Sequence, residues 1–248
     1  MRTTGVDLSA GPENTALAIL EWTATGARVH ALLRGVDDTT LIQTISNSDK
    51  AGIDCPLGWP EKFRSFVNAH QAGELVLPGQ YVSKEWRDGL AFRHTDVFVR
   101  EKIGRGVLSV SSDRIGRTAM QCAALQAMLA SAGRPVDRTG AGPVVEVYPA
   151  ASLHRWGLRP DGYKTSRNVA VLGELVESLR NAAPWLDLAG YESACRTSDH
   201  AFDAVIAALT ARAAALGLTE DFDPSRSDLV AVEGWIALPT YSLDALKQ

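Results

Sequence analysis

Four carboxylates stand where carboxylates are expensive. Asp7 ends the apolar strand pattern of residues 2–8, and Asp54 ends the short buried run AGID. Glu146 interrupts the β-branched run Val144, Val145 and Val147. Asp203 lies in a helix-patterned segment four residues after Asp199, so the two are about 40° apart on a helical wheel and flank its apolar side. A carboxylate in a buried position costs free energy unless it is paired or bound to a metal. Several converging carboxylates also repel one another, and a divalent cation is the usual remedy. Hard cations such as Mg²⁺ or Mn²⁺ take oxygen ligands. A pair of such ions can activate water and stabilise the leaving oxygen in phosphodiester hydrolysis.

Each acid also has a plain structural reading. Asp54 could cap the turn at Pro56, and Glu146 could pair with an arginine such as Arg93. Asp199 follows Thr197 and Ser198 and could be an N-cap or a first-turn acid facing the helix dipole. His200, between the two helix aspartates, could serve as a base, against the simpler reading of an exposed helix histidine. The argument for chemistry is the order: strand Asp, meander, helix, strand Asp, long intervening segment, strand Glu, helix Asp.

The elements that must position these acids can be read from the same text. Residues 2–8, 15–22 and 27–33 read as three strands joined by short turns, an antiparallel meander. Asp38–Ser46 has helical spacing, and 51–54 reads as a fourth strand stopped by Pro56. Residues 115–131, 150–156 and 168–182 read as helices, and 143–148 as a buried strand. The clearest helix is 198–216, with Phe202, Val205, Ile206, Leu209 and Leu216 on one apolar face. Residues 229–238 read as a last element returning to the core. From 57 to 138 strand signals are few, and residues 84–117 hold eight basic against five acidic residues. Tyr81 and Trp86, beside Arg87 and Arg93, could contact bases; a packed segment is the simpler reading.

Several segments together resemble domain-of-unknown-function family 429, described as predicted nucleases of the ribonuclease H-like fold. They are GVDLS (5–9), IDCPLGWP (53–60), FRHTD (92–96), VEVYPAAS (145–152), Lys164 in its loop and SDHAFDAVIAALTA (198–211). The resemblance implies an α/β fold: a ribonuclease H-like mixed five-stranded sheet flanked by helices. A large insertion (57–138) would follow the fourth strand within a single domain of residues 1–248. It implies a site lined by Asp7, Asp54, Glu146 and Asp203, with Asp7, Asp54, Asp199 and Asp203 as metal ligands. Arg93, Thr95, Asp96 and Lys164 would be on the substrate side. The expected activity is divalent-metal-dependent phosphodiester hydrolysis, as by a nuclease acting on nucleic acid or a nucleotide, with Mg²⁺ or Mn²⁺ as cofactor.

Composition narrows the alternatives. The 248 residues are 46% hydrophobic and 22% charged, enough apolar material for a sizeable core. A net charge of −4, from 25 basic and 29 acidic residues, argues against a broad duplex-coating surface. Three widely spaced cysteines form no CxxC pair, and no leader or membrane-length apolar run is read, so a cytoplasmic protein without a membrane partner is expected. There is no P-loop and no HExxH pair. VDLSAG before a strand also suits the first phosphate loop of an actin-like or sugar-kinase-related ATP-binding protein, but a second such loop is lacking. A non-catalytic nucleotide- or protein-binding module of the same fold is the other alternative. It leaves the self-repelling acids without a purpose.

Overall fold

The computed structural model describes residues 1–79, 82–164 and 168–248; Tyr81 lies outside them. Strands β1 (Arg2–Asp7), β2 (Ala16–Trp22) and β3 (Ala27–Arg34) form the antiparallel meander. Helix α1 (Asp38–Ser46) starts at Asp37, whose side chain accepts from the Thr40 amide, and leads into β4 (Lys50–Asp54), parallel to β1. Four helices follow: α2 (Glu61–Ala72), α3 (Lys84–Ala91), α4 (His94–Ile103) and α5 (Gly116–Ser131). Strand β5 (Val144–Glu146) then pairs in parallel with β4. Helices α6 (Pro149–Arg155) and α7 (Val169–Ala182) lead to β6 (Leu186–Asp187), and α8 (Glu192–Thr197), α9 (Asp199–Ala215) and α10 (Ser227–Glu233) complete the helices.

The sheet has six strands in the order β5-β4-β1-β2-β3-β6, which overturns the five-stranded ribonuclease H-like sheet that was expected. The additional strand is β6, two residues long and parallel to the outer edge of β3 through Ala27 and Arg28. Two residues carry no legible alternation, so a strand this short leaves no trace in periodicity. It forms because the chain leaving α7 passes the free edge of β3, where the Ala27 amide donates to the Trp185 carbonyl.

Apolar side chains pack on both faces of the sheet. One cluster joins β2 and β3 to α6, α7, α8 and α9, and the other joins β1 and β4 to α1 and α5. Helix α9 departs from the amphipathic reading: every residue from Ala201 to Ala213 is buried. A helix buried all round belongs to the core, and here it lies directly against β1 and β4. The cause is a pair of glycines. Gly5 and Gly52 are register partners on these strands. A Cβ at Gly5 would come within 2.0 Å of the Ala204 carbonyl oxygen, and one at Gly52 within 2.6 Å of the Ala207 carbonyl oxygen. Only bare backbone on the sheet and alanines on the helix permit this approach. No helix among the described residues is long and apolar enough to cross a membrane.

Candidate metal centre

The close approach of α9 sets the site. Asp7 and Asp54 stand two residues beyond Gly5 and Gly52, in register with each other at the ends of parallel strands. Alternation puts each on the same face as its glycine, the face that α9 covers. Asp203 projects from the first turns of α9 among the same atoms. One carboxylate oxygen from each of Asp7, Asp54 and Asp203 lies within 4.8 Å of the others.

Two basic side chains lean on this cluster. Lys164 Nζ is 2.7 Å from Asp203 Oδ2, and His200 Nδ1 is 2.5 Å from Asp7 Oδ2. The Tyr163 hydroxyl donates to Asp203 Oδ1 at 2.7 Å. Among the described residues, the Asp54 carboxylate accepts no hydrogen bond. Its proton affinity responds: burial, then Asp7, Asp203 and Glu146, hold its pKa well above the usual carboxylate range, against the pull of Lys164. Asp203 is pushed up to about 6, by burial first and by Asp7, while Lys164 and Tyr163 act against the shift. The Lys164 ammonium is held above its ordinary value. Burial works to lower it, but Asp203, Asp54 and Asp7 outweigh burial. His200 is raised by its bond to Asp7, against partial desolvation. These shifts describe a pocket with more negative charge than its own cations neutralise.

Glu146 belongs to a different construction. It is the register partner of Ile53, not of Asp54, so its side chain leaves the strand on the opposite face, although it lines the same cleft as Asp7 and Asp54. There it meets Arg93, the arginine that the sequence offered as its partner. Arg93 Nη2 donates to Glu146 Oε1 at 2.7 Å and Nη1 to Oε2 at 2.8 Å, and the Leu57 amide donates to Oε2 at 2.9 Å. Arg93 also donates from Nε and Nη2 to Asp96 and from Nη1 to the Glu233 carbonyl. All five guanidinium hydrogens are thereby used inside the protein, leaving none for a substrate phosphate. Arg93, Asp96 and Thr95 are fully buried, and Thr95 Oγ1 accepts from the Ile236 amide. The Arg-x-Thr-Asp segment therefore ties α4 to β5 and to the chain after α10.

Asp199 lies in the first turn of α9, one turn before Asp203, and is not in the three-residue group. The N-cap there is Ser198, whose hydroxyl accepts from the Ala201 amide. Of the residues expected on the substrate side, Lys164 alone is in contact with the aspartates.

Three contributors, Tyr163, Gly5 and Gly52, carry no chemistry that marks them in the sequence. Tyr163 is adjacent to Lys164 and has no pattern of its own. Gly5 and Gly52 do have one: Gly-Val-Asp at 5–7 and Gly-Ile-Asp at 52–54 repeat the same glycine-to-aspartate spacing.

Asp7 and Asp54 open into a cleft of about 200 Å³ lined also by Lys164, Glu146, Arg93, Tyr148, Val107, Leu108 and Ile115. Residues 5–226 match the family described as "Protein of unknown function (DUF429)". Neither the curated proteins nor the solved structures searched gave a match.

Proposed function

The chain belongs to the DUF429 family, and we propose that it is a divalent-metal-dependent phosphodiester hydrolase, a nuclease in the broad sense, acting on nucleic acid or a nucleotide. The observation that carries this reading is the convergence of Asp7, Asp54 and Asp203 at the ends of two parallel strands and on the helix that crosses them. The donor set fits the cofactor. It is all oxygen and suits a hard ion such as Mg²⁺ or Mn²⁺. The lysine and histidine drawn onto it occupy positions where positive charge is wanted. Asp7, Asp54 and Asp203 would hold the ion, which when bound supplies Lewis acidity toward a phosphoryl oxygen and lowers the pKa of water.

The chain's own residues have separable tasks in this reading. Tyr163 fixes one oxygen of Asp203, and Lys164 neutralises the other while no ion is bound. His200 fixes one oxygen of Asp7. The Lys164 side chain is about half exposed, so its ammonium can also meet an incoming phosphate and offset charge on it. The free, buried state of all three cysteines fits a reducing, cytoplasmic setting.

Calorimetric titration of Mn²⁺ into the wild type and Asp7→Asn tests the proposal, alongside cleavage assays on single-stranded DNA, duplex DNA, RNA and branched junctions. Binding that Asp7→Asn abolishes, with metal-dependent cleavage of at least one substrate, is the expected result. Failure of the wild type to bind metal up to millimolar concentrations overturns it.

A further inference from the structure

The cleft has two unlike kinds of lining. Asp7, Asp54, Glu146, Arg93 and Lys164 line it with charge, and Val107, Leu108, Ile115 and Tyr148 give it an apolar wall. Val107 and Leu108 belong to the loop between α4 and α5 and Ile115 to the start of α5, while Tyr148 directly follows β5. Tyr148 lines the cleft together with Asp54 and Lys164 while its side chain packs with the apolar cluster around Val99 and Ile236. Leu108 remains 42% exposed at the rim, an apolar side chain without a full partner.

A phosphate needs none of this apolar surface. A volume of about 200 Å³ is also below the roughly 300–1,000 Å³ of pockets that enclose drug-sized ligands. It has room for a single ring system. A duplex cannot present a base and its phosphate to such a recess without unstacking that nucleotide, and the net charge of −4 offers a duplex little general attraction.

We infer that the apolar wall is a seat for a single nucleobase, so that the protein acts on unpaired nucleotides, in single strands or as small nucleotides, and not on the interior of a duplex. Tyr148 supplies the stacking face, Leu108 and its neighbours close the other side, and Lys164 takes the phosphate. This rests on the phosphodiester reading above.

The test separates the two. With the full-length protein in Ca²⁺, a deoxynucleoside 5′-monophosphate and deoxyribose 5-phosphate are titrated calorimetrically; they share the phosphate and differ by the base. The nucleotide should bind at least about tenfold more tightly, in line with the usual worth of base–aromatic stacking. Tyr148→Ala should remove most of that preference. Leu108→Ala, at an exposed position that does not threaten folding, should reduce it severalfold without changing the affinity for deoxyribose 5-phosphate. Equal affinities in the wild type, or a preference that survives both substitutions, overturn the base seat. With Mn²⁺, a single-stranded oligonucleotide should be cleaved at least about tenfold faster than the same strand fully paired, since unpairing carries a free-energy cost; equal rates overturn the inference and leave the hydrolase reading standing. Absence of cleavage from both overturns the hydrolase reading, while the affinity comparison alone decides the seat.

Discussion

Two groups of buried carboxylates sit a strand apart in this protein and are handled in opposite ways. Around Arg93, every oxygen of Asp96, Glu146 and Glu233 has a donor. Five guanidinium hydrogens and the Leu57 amide serve the site, and Glu233 accepts from the Glu61 and His94 amides at the starts of α2 and α4. Around Asp54, three carboxylates share two basic side chains and one hydroxyl, and burial and mutual repulsion raise the pKa values of Asp54 and Asp203. A satisfied buried network rigidifies, whereas an under-satisfied one holds free energy that a ligand can release. The first group joins the helices between β4 and β5 to the sheet. The second is suited to take up a cation.

The largest effect expected from this contrast is on the Arg93 side. Arg93→Met would strand Glu146 and Asp96 as buried charges and cost on the order of 3–5 kcal/mol of stability. Urea denaturation checks it, and a loss under about 1 kcal/mol would mean that the network is not structural. Asp54→Asn should do the reverse in the metal-free protein, raising stability by about 1 kcal/mol because repulsion is relieved. The same substitution should weaken Mn²⁺ binding about 100-fold, since one of three carboxylate ligands is lost; calorimetry reads both variants against the wild type.

Acid sharpens the comparison further. Asp203 must lose its proton to bind an ion, so Mn²⁺ affinity should fall below pH 6, by up to about tenfold per pH unit. Stability of the metal-free protein has the opposite sign. The native Asp203 titrates near 6 and the unfolded one near 3.8, so the native state holds more protons between these values. Its stability is therefore greatest at the acid end of that window and declines as pH rises through about 6. Denaturation midpoints of the wild type relative to Asp203→Asn, measured across the window, isolate this contribution. The smallest effect is expected at Lys164. Lys164→Gln removes a half-exposed competitor for Asp203 and should tighten Mn²⁺ binding by about threefold, a gain limited by solvent screening. Weaker binding in that variant would show that the lysine supports the site by positioning Asp203.

Much of this protein is legible in its linear text, because the relevant signals are local. Alternation and turn residues marked β1 to β4, and the runs 115–131, 150–156 and 168–182 coincide closely with α5, α6 and α7. An aspartate at the end of an apolar strand or beside the apolar face of a helix is conspicuous whatever it packs against, so Asp7, Asp54 and Asp203 were identifiable as residues that need a partner. What tertiary structure alone decided depends on register and on distance between layers. Glu146 resembles Asp54 in sequence, yet a parallel pairing that sets it opposite Ile53 turns it to the other face of the sheet. Arg93 looked available for a phosphate until its five hydrogens met acceptors on nearby Asp96 and on two distant segments, at Glu146 and Glu233. Helix α9 looked amphipathic because periodicity reports side-chain polarity; it is buried all round because Gly5 and Gly52 let its alanines rest on bare strand backbone. That approach carries Asp203 to within reach of Asp7 and Asp54.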